Sequence, residues 1–240
     1  MSAQEQTAIV AKVLSLTELA LGEIEVSGRL VEASNATLFG SIRVGEEFLG
    51  NVIYKPTSGE RPLWDFPHGT LAQREVAAFR LSEALGWNVV PPTLLRDGPY
   101  GIGMVQAWID IDEEIDIVEV SEGDHADIVR MVLFDALINN TDRKFGHLLP
   151  LNGRIFGCDH GVTFHQDDKL RTVLWHFRGE PIPVELLTDL NRLEDVLPDL
   201  ESLIHPEEIA ALIARRERLR SQGTFPQPSE DWPAVPWPPF

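Results

Sequence analysis

The sequence contains one cysteine and lacks any apolar run approaching the roughly 18 residues that a transmembrane helix requires. A single cysteine cannot form an internal disulfide, and this usage is typical of proteins in a reducing compartment. The first residues also lack the basic and apolar regions of a secretory signal peptide. We therefore expect a cytoplasmic protein that has no stable membrane association.

Basic residues are also scarce: 20 Lys and Arg stand against 38 Asp and Glu, which gives a formal net charge of −18. Nucleic acids and anionic lipid surfaces are bound by clustered Lys and Arg side chains. The main basic cluster, residues 214–221, ends a predicted helix, where cations complement the helix dipole; a docking patch is the alternative. This charge balance predicts that nucleic acid is not a partner.

The hydrophobic pattern divides the chain into two parts. Residues 23–109 contain short alternating runs separated by glycine, the pattern of an antiparallel sheet, with one helix at 70–86. After an acidic stretch the pattern becomes mainly helical, with β runs also predicted at 161–166 and 169–177. Because strands and helices are segregated, we predict an α+β fold of two lobes with a cleft between them. The predicted divisions are a lead-in (1–22), an N-lobe (23–109), a C-lobe (110–225) and a tail (226–240).

The tail is rich in proline and tryptophan. Repeated proline removes backbone donors and fixes φ, so this segment cannot form a regular helix or sheet. It either folds back onto the body through Trp232, Trp237 and Phe240 or docks another protein. The sequence leaves both alternatives open.

Four residues occur in an order that suits phosphoryl transfer. Lys55 ends an apolar strand and Glu75 lies within the N-lobe helix, while Asp142 follows a buried helix and Asp159 follows a later strand. Phosphoryl transfer requires a cation on the phosphates, a carboxylate that orients it, a carboxylate near the attacking oxygen and one on the metal ion. The joint order of the four residues therefore predicts a nucleotide-dependent active site.

Each of these residues alone has an ordinary structural explanation. Lys55 could extend its charged end from a sheet edge, and Glu75 could be an exposed helix acid. Asp142 could cap a turn, and Asp159 could be a turn residue. The prediction depends on the four occurring together.

Two segments carry a resemblance to a known family. "LFDALINNTDRKFGHLL" (133–149) and "GCDHGVTF" (157–164) resemble the catalytic and metal-binding loops of the phosphatidylinositol 3/4-kinase-like superfamily of atypical kinases, which includes HipA-like kinases. In particular the chain resembles small actinobacterial phosphatidylinositol kinase-like proteins, over roughly residues 25–180. The resemblance implies a protein-kinase-like fold, with ATP and Mg²⁺, or Mn²⁺, as cofactors.

The same resemblance implies roles for individual residues. Lys55 would contact the nucleotide phosphates and Glu75 would orient it. Asp142 would be the catalytic-loop aspartate, and Asp159 would hold Mg²⁺. The segment "MVQAW", which contains Met104, Gln106 and Trp108, would be the hinge whose backbone reads the adenine edge.

The loop that would cover the phosphates is residues 32–41. It carries a single glycine at its far end, but Ser34 and Asn35 can offer backbone and side-chain donors. We therefore predict that these two residues help to bind the nucleotide.

One position departs from the family pattern. His147 stands where these kinases commonly carry an asparagine that helps to hold a second metal ion. Neutral imidazole binds metals, but Mg²⁺ prefers oxygen ligands. His147 could therefore bind a softer ion or transfer a proton, or it could mark a pseudokinase that binds nucleotide without phosphoryl transfer.

Other polar residues beside these loops carry alternatives. Arg143 is predicted to steady the loop or to neutralise transferred phosphate, or else to form a salt bridge to Asp135. His160 and His165, with Asp159, could form a transition-metal site. Cys158 follows an apolar strand and is expected to be a small core residue. Its acidic neighbour raises the thiol pKa, which argues against a nucleophile.

We conclude from the sequence that the chain is an ATP- and Mg²⁺-dependent phosphotransferase. Its expected partners are a nucleotide and a protein hydroxyl or small metabolite; the net charge of −18 argues against a lipid substrate. The alternatives are a nucleotide-binding pseudokinase with a regulatory role, or a transferase that moves the nucleotidyl (AMP) group.

Overall fold

A computed structural model of the chain describes residues 12–30 and 36–240. A five-stranded antiparallel sheet forms the first lobe, in the order β1-β2-β3-β5-β4. A short helix, α1 (Leu16–Leu21), packs against it. The strands are β1 (Glu23–Arg29), β2 (Leu38–Val44), β3 (Glu47–Pro56), β4 (Thr93–Gly98) and β5 (Gly101–Ala107).

The alternation of side chains along β3 decides which residue faces the cleft. Tyr54 is fully buried in the sheet core, so its neighbour Lys55 points to the opposite face. Lys55 lies directly opposite Met104 of β5, and Met104 packs against the helix α2 (Leu71–Ala84). Lys55 therefore faces the same helix.

Helix α2 begins at a carboxylate that is distant in sequence. The residue before it, Thr70, makes no capping bond through its side chain. Instead, the Glu60 carboxylate accepts hydrogen bonds from the backbone N–H groups of Leu71 (3.1 Å) and Ala72 (2.8 Å). Glu60 satisfies two of the otherwise unpaired donors at the helix start, so loop 60–66 is fixed to α2.

The second lobe is mainly helical, and its core continues into α2. Helix α4 is apolar on most faces, and its buried side chains share one hydrophobic cluster with Phe79 and Leu81 of α2. The elements of this lobe are α3 (Ile117–Ser121), α4 (Ala126–Ile138), β6 (Leu148–Leu151), β7 (Arg154–Gly157), α5 (Val184–Asp189), α6 (Leu193–Leu200) and α7 (Pro206–Gln222). The predicted α+β architecture is confirmed.

The β runs predicted at 161–166 and 169–177 are wrong. The structure has a loop there, followed by a short 3₁₀ turn at Trp175–Phe177. The backbone is held by the end of α4, since the Asn139 side-chain amide donates to the carbonyls of His165 (2.9 Å) and Asp167 (2.6 Å). These carbonyls therefore have partners without a sheet.

The tail folds back along the second lobe. The Ala234 carbonyl accepts hydrogen bonds from the backbone N–H of Thr172 (3.0 Å) and from the indole N–H of Trp175 (2.8 Å). The Pro239 carbonyl accepts one from the backbone N–H of Phe145 (2.9 Å), whose ring lies 5.2 Å from the Phe240 ring. Of the two alternatives for the tail, the structure contains the folded-back one, but Trp237, which was expected to contact the body, is exposed.

Within the described part of the chain, no helix has both the length and the apolarity needed to cross a bilayer.

Candidate active site

Three charged side chains from three separate elements meet at the cleft. The Lys55 Nζ of β3 lies 2.6 Å from Glu75 Oε1 of α2 and 2.8 Å from Asp159 Oδ1, which follows β7. Glu75 is 1% exposed, whereas the Asp159 side chain is 50% exposed. The buried carboxylate therefore orients the lysine, and the half-exposed carboxylate faces the space beside it.

The electrostatics of this triad keep Lys55 and Asp159 charged near neutral pH. Burial lowers the pKa of Lys55, but the carboxylates of Asp159 and Glu75 outweigh that effect and raise it above its usual value. Lys55 in turn holds the pKa of Asp159 well below its usual range. Burial raises the pKa of Glu75, and Lys55 opposes this shift. An ionised Asp159 beside a cationic Lys55 is the charge state that phosphate and metal binding need.

The second oxygen of Glu75 connects α2 to the loop that carries Asp159. Glu75 Oε2 accepts a hydrogen bond from the backbone N–H of His160 at 2.9 Å. Asp159 itself adopts a left-handed backbone conformation, with φ of 59°, which Asp tolerates better than most residues. The lysine, the helix and loop 158–165 therefore form one connected unit.

Asp142 lies on the neighbouring loop 139–147 and lines the same cavity as Lys55 and Asp159. Its backbone N–H donates to the Asn140 side-chain carbonyl at 3.0 Å, which shapes the turn. Its carboxylate is 28% exposed and lies 3.4 Å from Arg171 and 3.5 Å from Lys144. Asp142 is therefore accessible and held between two cations.

Arg143 lies beneath this loop and is fully buried. Its guanidinium donates two hydrogen bonds of 2.9 Å to the Asp135 carboxylate and one of 3.0 Å to the Cys158 carbonyl. Burial lowers the pKa of Arg143, but Asp135 outweighs that effect and raises it. Of the sequence-based alternatives, the structure contains the salt bridge to Asp135, and a buried Arg143 cannot reach a phosphoryl group in the cleft.

The two histidines beside Asp159 occupy different environments. His147 Nε2 lies 3.6 Å from Asp159 Oδ2. Burial, together with Arg143, outweighs the attraction of Asp159 and lowers the pKa of His147, so its ring is neutral at pH 7. His160 is fully buried, and its Nε2 accepts a hydrogen bond from Arg143 at 2.7 Å. His160 is therefore a structural partner of Arg143.

The transition-metal hypothesis for His160 and His165 is not supported. Among residues 12–30 and 36–240, no group of three or more His, Cys, Asp or Glu side chains is placed to hold a metal ion. His165 Nδ1 instead accepts the backbone N–H of Asp167 at 3.0 Å. Cys158 is half-buried and belongs to none of the hydrophobic clusters of the described residues, so its prediction as a core residue is wrong. Desolvation and the neighbouring Asp159 raise its pKa to about 12, in keeping with an inert thiol.

A cavity of about 540 Å³ opens above this cluster. Lys55, Glu75, Asp142 and Asp159 line its inner side. Loop 60–66, Arg171 and Trp232 of the tail line its other sides.

The predicted hinge residues do not line this cavity. Met104 is fully buried against α2, and the Gln106 amide donates to Thr93 Oγ1 at 2.8 Å. The Trp108 ring packs edge-on against Phe39. The hinge assignment concerns backbone groups and stays a prediction. Ser34 and Asn35, predicted to cover the phosphates, lie outside the described residues.

Three residues at the site were missed from the sequence: Arg74, Lys169 and Arg171. Arg74 precedes Glu75 and is fully buried, and Lys169 is 6% exposed. A basic residue in a strongly acidic chain is weak evidence for a role at a functional site, because most such residues form exposed salt bridges. Their partners come from distant segments, so local spacing does not identify them.

Sequence comparison with known proteins assigns the chain to a family. No known family profile matches the chain. Protein Rv2133c of Mycobacterium tuberculosis (strain ATCC 25618 / H37Rv) is 43% identical over 263 aligned residues, which cover 92% of this chain and 94% of that protein. The chain belongs to the Rv2133c family.

Solved structures similar to this family member include a kinase. The Golgi casein kinase with Mn/ADP bound has a TM-score of 0.55 and 14% identity, and the match covers 86% of this chain and 74% of that one. The hydra Fam20 structure with sugar has a TM-score of 0.53 and 14% identity, covering 86% of each chain. At such low identity the likeness concerns the fold, which is kinase-like as predicted. The narrower resemblance to phosphatidylinositol 3/4-kinases stays a prediction.

Proposed function

We propose that this protein is an ATP-dependent phosphotransferase of the atypical kinase type. The observation that carries the proposal is the position of Lys55 between Glu75 and Asp159, at 2.6 and 2.8 Å, in a cavity that Asp142 also lines. These are the cation, orienting carboxylate, metal carboxylate and acceptor-side carboxylate that phosphoryl transfer needs. The fold shared with a kinase structure that contains Mn/ADP supports the same conclusion.

The residues fit a divalent metal ion bound together with the nucleotide. Mg²⁺ is usually held by one or two carboxylates plus substrate phosphates and water, so a cluster of three protein ligands is not required. Asp159 is ionised and half-exposed, and His147 Nε2 lies 3.6 Å from it. Asp159 would hold the ion, with His147 as a second ligand where the ion is Mn²⁺. The bound ion would neutralise charge on the phosphates.

The reaction would be an in-line displacement at the γ-phosphorus. An acceptor hydroxyl oxygen forms a bond to phosphorus while the bond to the β,γ-bridging oxygen breaks and ADP leaves. Asp142 orients the hydroxyl and takes its proton, and Lys55 binds the phosphate oxygens. Arg143 positions loop 139–147 from beneath through Asp135.

The acceptor would be a protein hydroxyl or a small metabolite. A net charge of −18 disfavours anionic lipid surfaces, which attract basic faces. We expect the protein to act in the cytoplasm, without nucleic acid as a partner.

A pseudokinase is the second candidate, and His147 is the observation that favours it. Where oxygen ligands suit Mg²⁺, this chain places a neutral imidazole beside Asp159. Transfer of the nucleotidyl group is a third candidate, since the same charged residues could bind the triphosphate in the reverse direction.

Labelled nucleotide separates the three candidates. The protein is incubated with Mn²⁺ and ATP labelled at either the α or the γ phosphate, and binding is measured by calorimetry. Transfer or release of the γ label alone supports the proposal. Transfer of the α label supports nucleotidyl transfer, and binding without turnover supports a pseudokinase.

A further inference from the structure

Part of the cavity is lined by residues that have no role in the proposed binding of the nucleotide phosphates. Its inner side carries Lys55, Asp142 and Asp159. The predicted hinge segment, 104–108, does not appear among the described residues that line it. The adenine end of a nucleotide bound at the hinge would therefore lie outside this cavity, and its terminal phosphate would enter at Lys55.

The outer side is closed by two segments that a single lysine joins. The Lys169 Nζ lies 4.8 Å from the Trp64 ring centroid and 5.2 Å from the Trp232 ring centroid. It also forms an ion pair of 2.8 Å with Asp65. The Lys169 side chain is only 7% exposed, whereas Trp64 is 86% exposed, so the lysine is buried while the Trp64 ring lies at the surface. We call Trp64, Asp65, Lys169 and Trp232 the aromatic clamp.

The clamp connects loop 60–66 to the tail on either side of the cavity. Loop 60–66 is fixed to helix α2 through Glu60, and the tail is fixed to the second lobe through Ala234. In the first support the Glu60 carboxylate accepts from the backbone of α2, and in the second the Ala234 carbonyl accepts from the Trp175 indole. Both segments on the outer side of the cavity are therefore held in place, and Trp232 is the tail residue that lines the cavity.

We propose that this outer half binds the phosphoryl acceptor, and that the acceptor is a small hydroxyl compound with a ring-shaped or otherwise flat apolar part lying against Trp232. This inference rests on the proposed function. Asp142 lies in the same cavity, where it would receive the hydroxyl proton. Trp232 is a specificity-determining residue, and Lys169 is a positioning residue that holds it.

The volume and the lining of the cavity favour a small molecule over a protein segment. A volume of about 540 Å³ falls within the range of small-molecule sites, and such sites are lined by aromatic side chains with a few polar groups. The clamp keeps Trp232 in place, since its lysine is held by an ion pair and two aromatic rings.

The test compares three variants in a labelling experiment. The protein is incubated with Mn²⁺, γ-labelled ATP and a cell extract, and the label that the extract incorporates without the protein is subtracted. Labelled compounds other than ATP and inorganic phosphate are then separated into protein and small-molecule fractions. Trp232→Ala removes the tail residue that lines the cavity, and Lys169→Met breaks the clamp. Trp237→Ala is the matched control, because it removes a tryptophan of the same tail that is 89% exposed. Calorimetry with Mn²⁺ and ADP measures nucleotide affinity for each.

The expected result is label in the small-molecule fraction with wild type and Trp237→Ala, and a loss of roughly tenfold or more with the other two variants, at unchanged ADP affinity. Label in the protein fraction alone overturns the inference. So does equal labelling by Trp232→Ala. Nucleotide binding by wild type with neither fraction labelled is the pseudokinase outcome, and it overturns the proposed function together with the inference. A wild-type protein that binds no nucleotide overturns the proposed function itself.

Discussion

Arg74 and Glu208 join helix α2 to helix α7 through a buried ion pair of 2.7 Å. The Arg74 side chain is fully buried, and its guanidinium also donates to the Thr163 carbonyl at 2.7 Å. Its sequence neighbour Glu75 is the residue that orients Lys55. Helix α2, which carries the orienting carboxylate, is therefore attached to the second lobe through both Arg74 and Glu75.

Breaking this pair is expected to destabilise the protein and to weaken nucleotide binding. Arg74→Met leaves the Glu208 charge buried without its partner, at a cost of about 3–5 kcal/mol in the free energy of unfolding. Displacement of α2 also moves Glu75, so affinity for Mn²⁺ and ADP should fall roughly tenfold, or about 1.4 kcal/mol. Urea unfolding and calorimetry measure the two effects.

The same helix offers a matched control. Arg80 forms a 3.8 Å pair with Glu83, and its side chain is 37% exposed, so Arg80→Met should cost no more than about 1 kcal/mol. The double variant Arg74→Met with Glu208→Leu should be less destabilised than the sum of the two single variants, because no buried charge is then left alone. Unchanged ADP affinity in folded Arg74→Met would show that Arg74 does not position Glu75.

The single cysteine is expected to be unreactive in the native protein. Burial and the carboxylate of Asp159 raise the pKa of Cys158 to about 12, so little thiolate forms at pH 8. A disulfide reagent should modify native protein at least roughly a hundredfold more slowly than protein in denaturant. Absorbance of the released thiolate measures both rates. Comparable rates would mean that Cys158 is exposed or activated.

Stability is expected to fall as the pH falls below the usual histidine range. Burial, with the nearby Arg143, lowers the pKa of His160 well below its ordinary value of 6.5. Above pH 6.5 both the folded and the unfolded chain hold this ring neutral, and the stability is fully present. Below it the unfolded chain binds a proton that the folded chain does not, so stability is lost.

Urea unfolding at pH 7.5 and at pH 5.5 tests this pH dependence. His160→Gln, which keeps an acceptor for Arg143, should lose less stability between the two values than wild type does. His68→Gln changes an exposed histidine and should behave like wild type. His147 has a lowered pKa too and contributes in the same direction. Identical losses in wild type and His160→Gln would contradict the assignment.

The order of the charged residues identified four side chains that the structure brings to one cavity: Lys55, Glu75, Asp142 and Asp159. They lie on elements that the hydrophobic pattern identifies, and the resemblance of residues 133–149 and 157–164 implied the kinase-like fold. What the pattern could not supply are contacts between distant segments. Lys169 was not distinguished from a surface lysine, because Trp64 and Trp232 lie far from it in the sequence.

The loop after Asp159 shows why local pattern failed in the second lobe. Residues 161–177 alternate in polarity as a strand does, but Asn139, at the end of α4, supplies donors to the carbonyls of His165 and Asp167. A side-chain amide thus replaces a sheet partner. The sequence therefore has the alternation of a strand in this segment, but contacts with α4 favour a loop.

The most direct test of the account is γ-phosphate release from ATP by Asp142→Asn. With saturating Mn²⁺ and ATP, this variant should lose about a hundredfold to ten-thousandfold in turnover, since Asp142 acts on the attacking hydroxyl. Its ADP affinity should stay within roughly twofold of wild type, because Lys55 and Asp159 are intact. Asp124→Asn, which changes an exposed acid of the second lobe, should keep full turnover. Wild-type turnover by Asp142→Asn would contradict the proposed function.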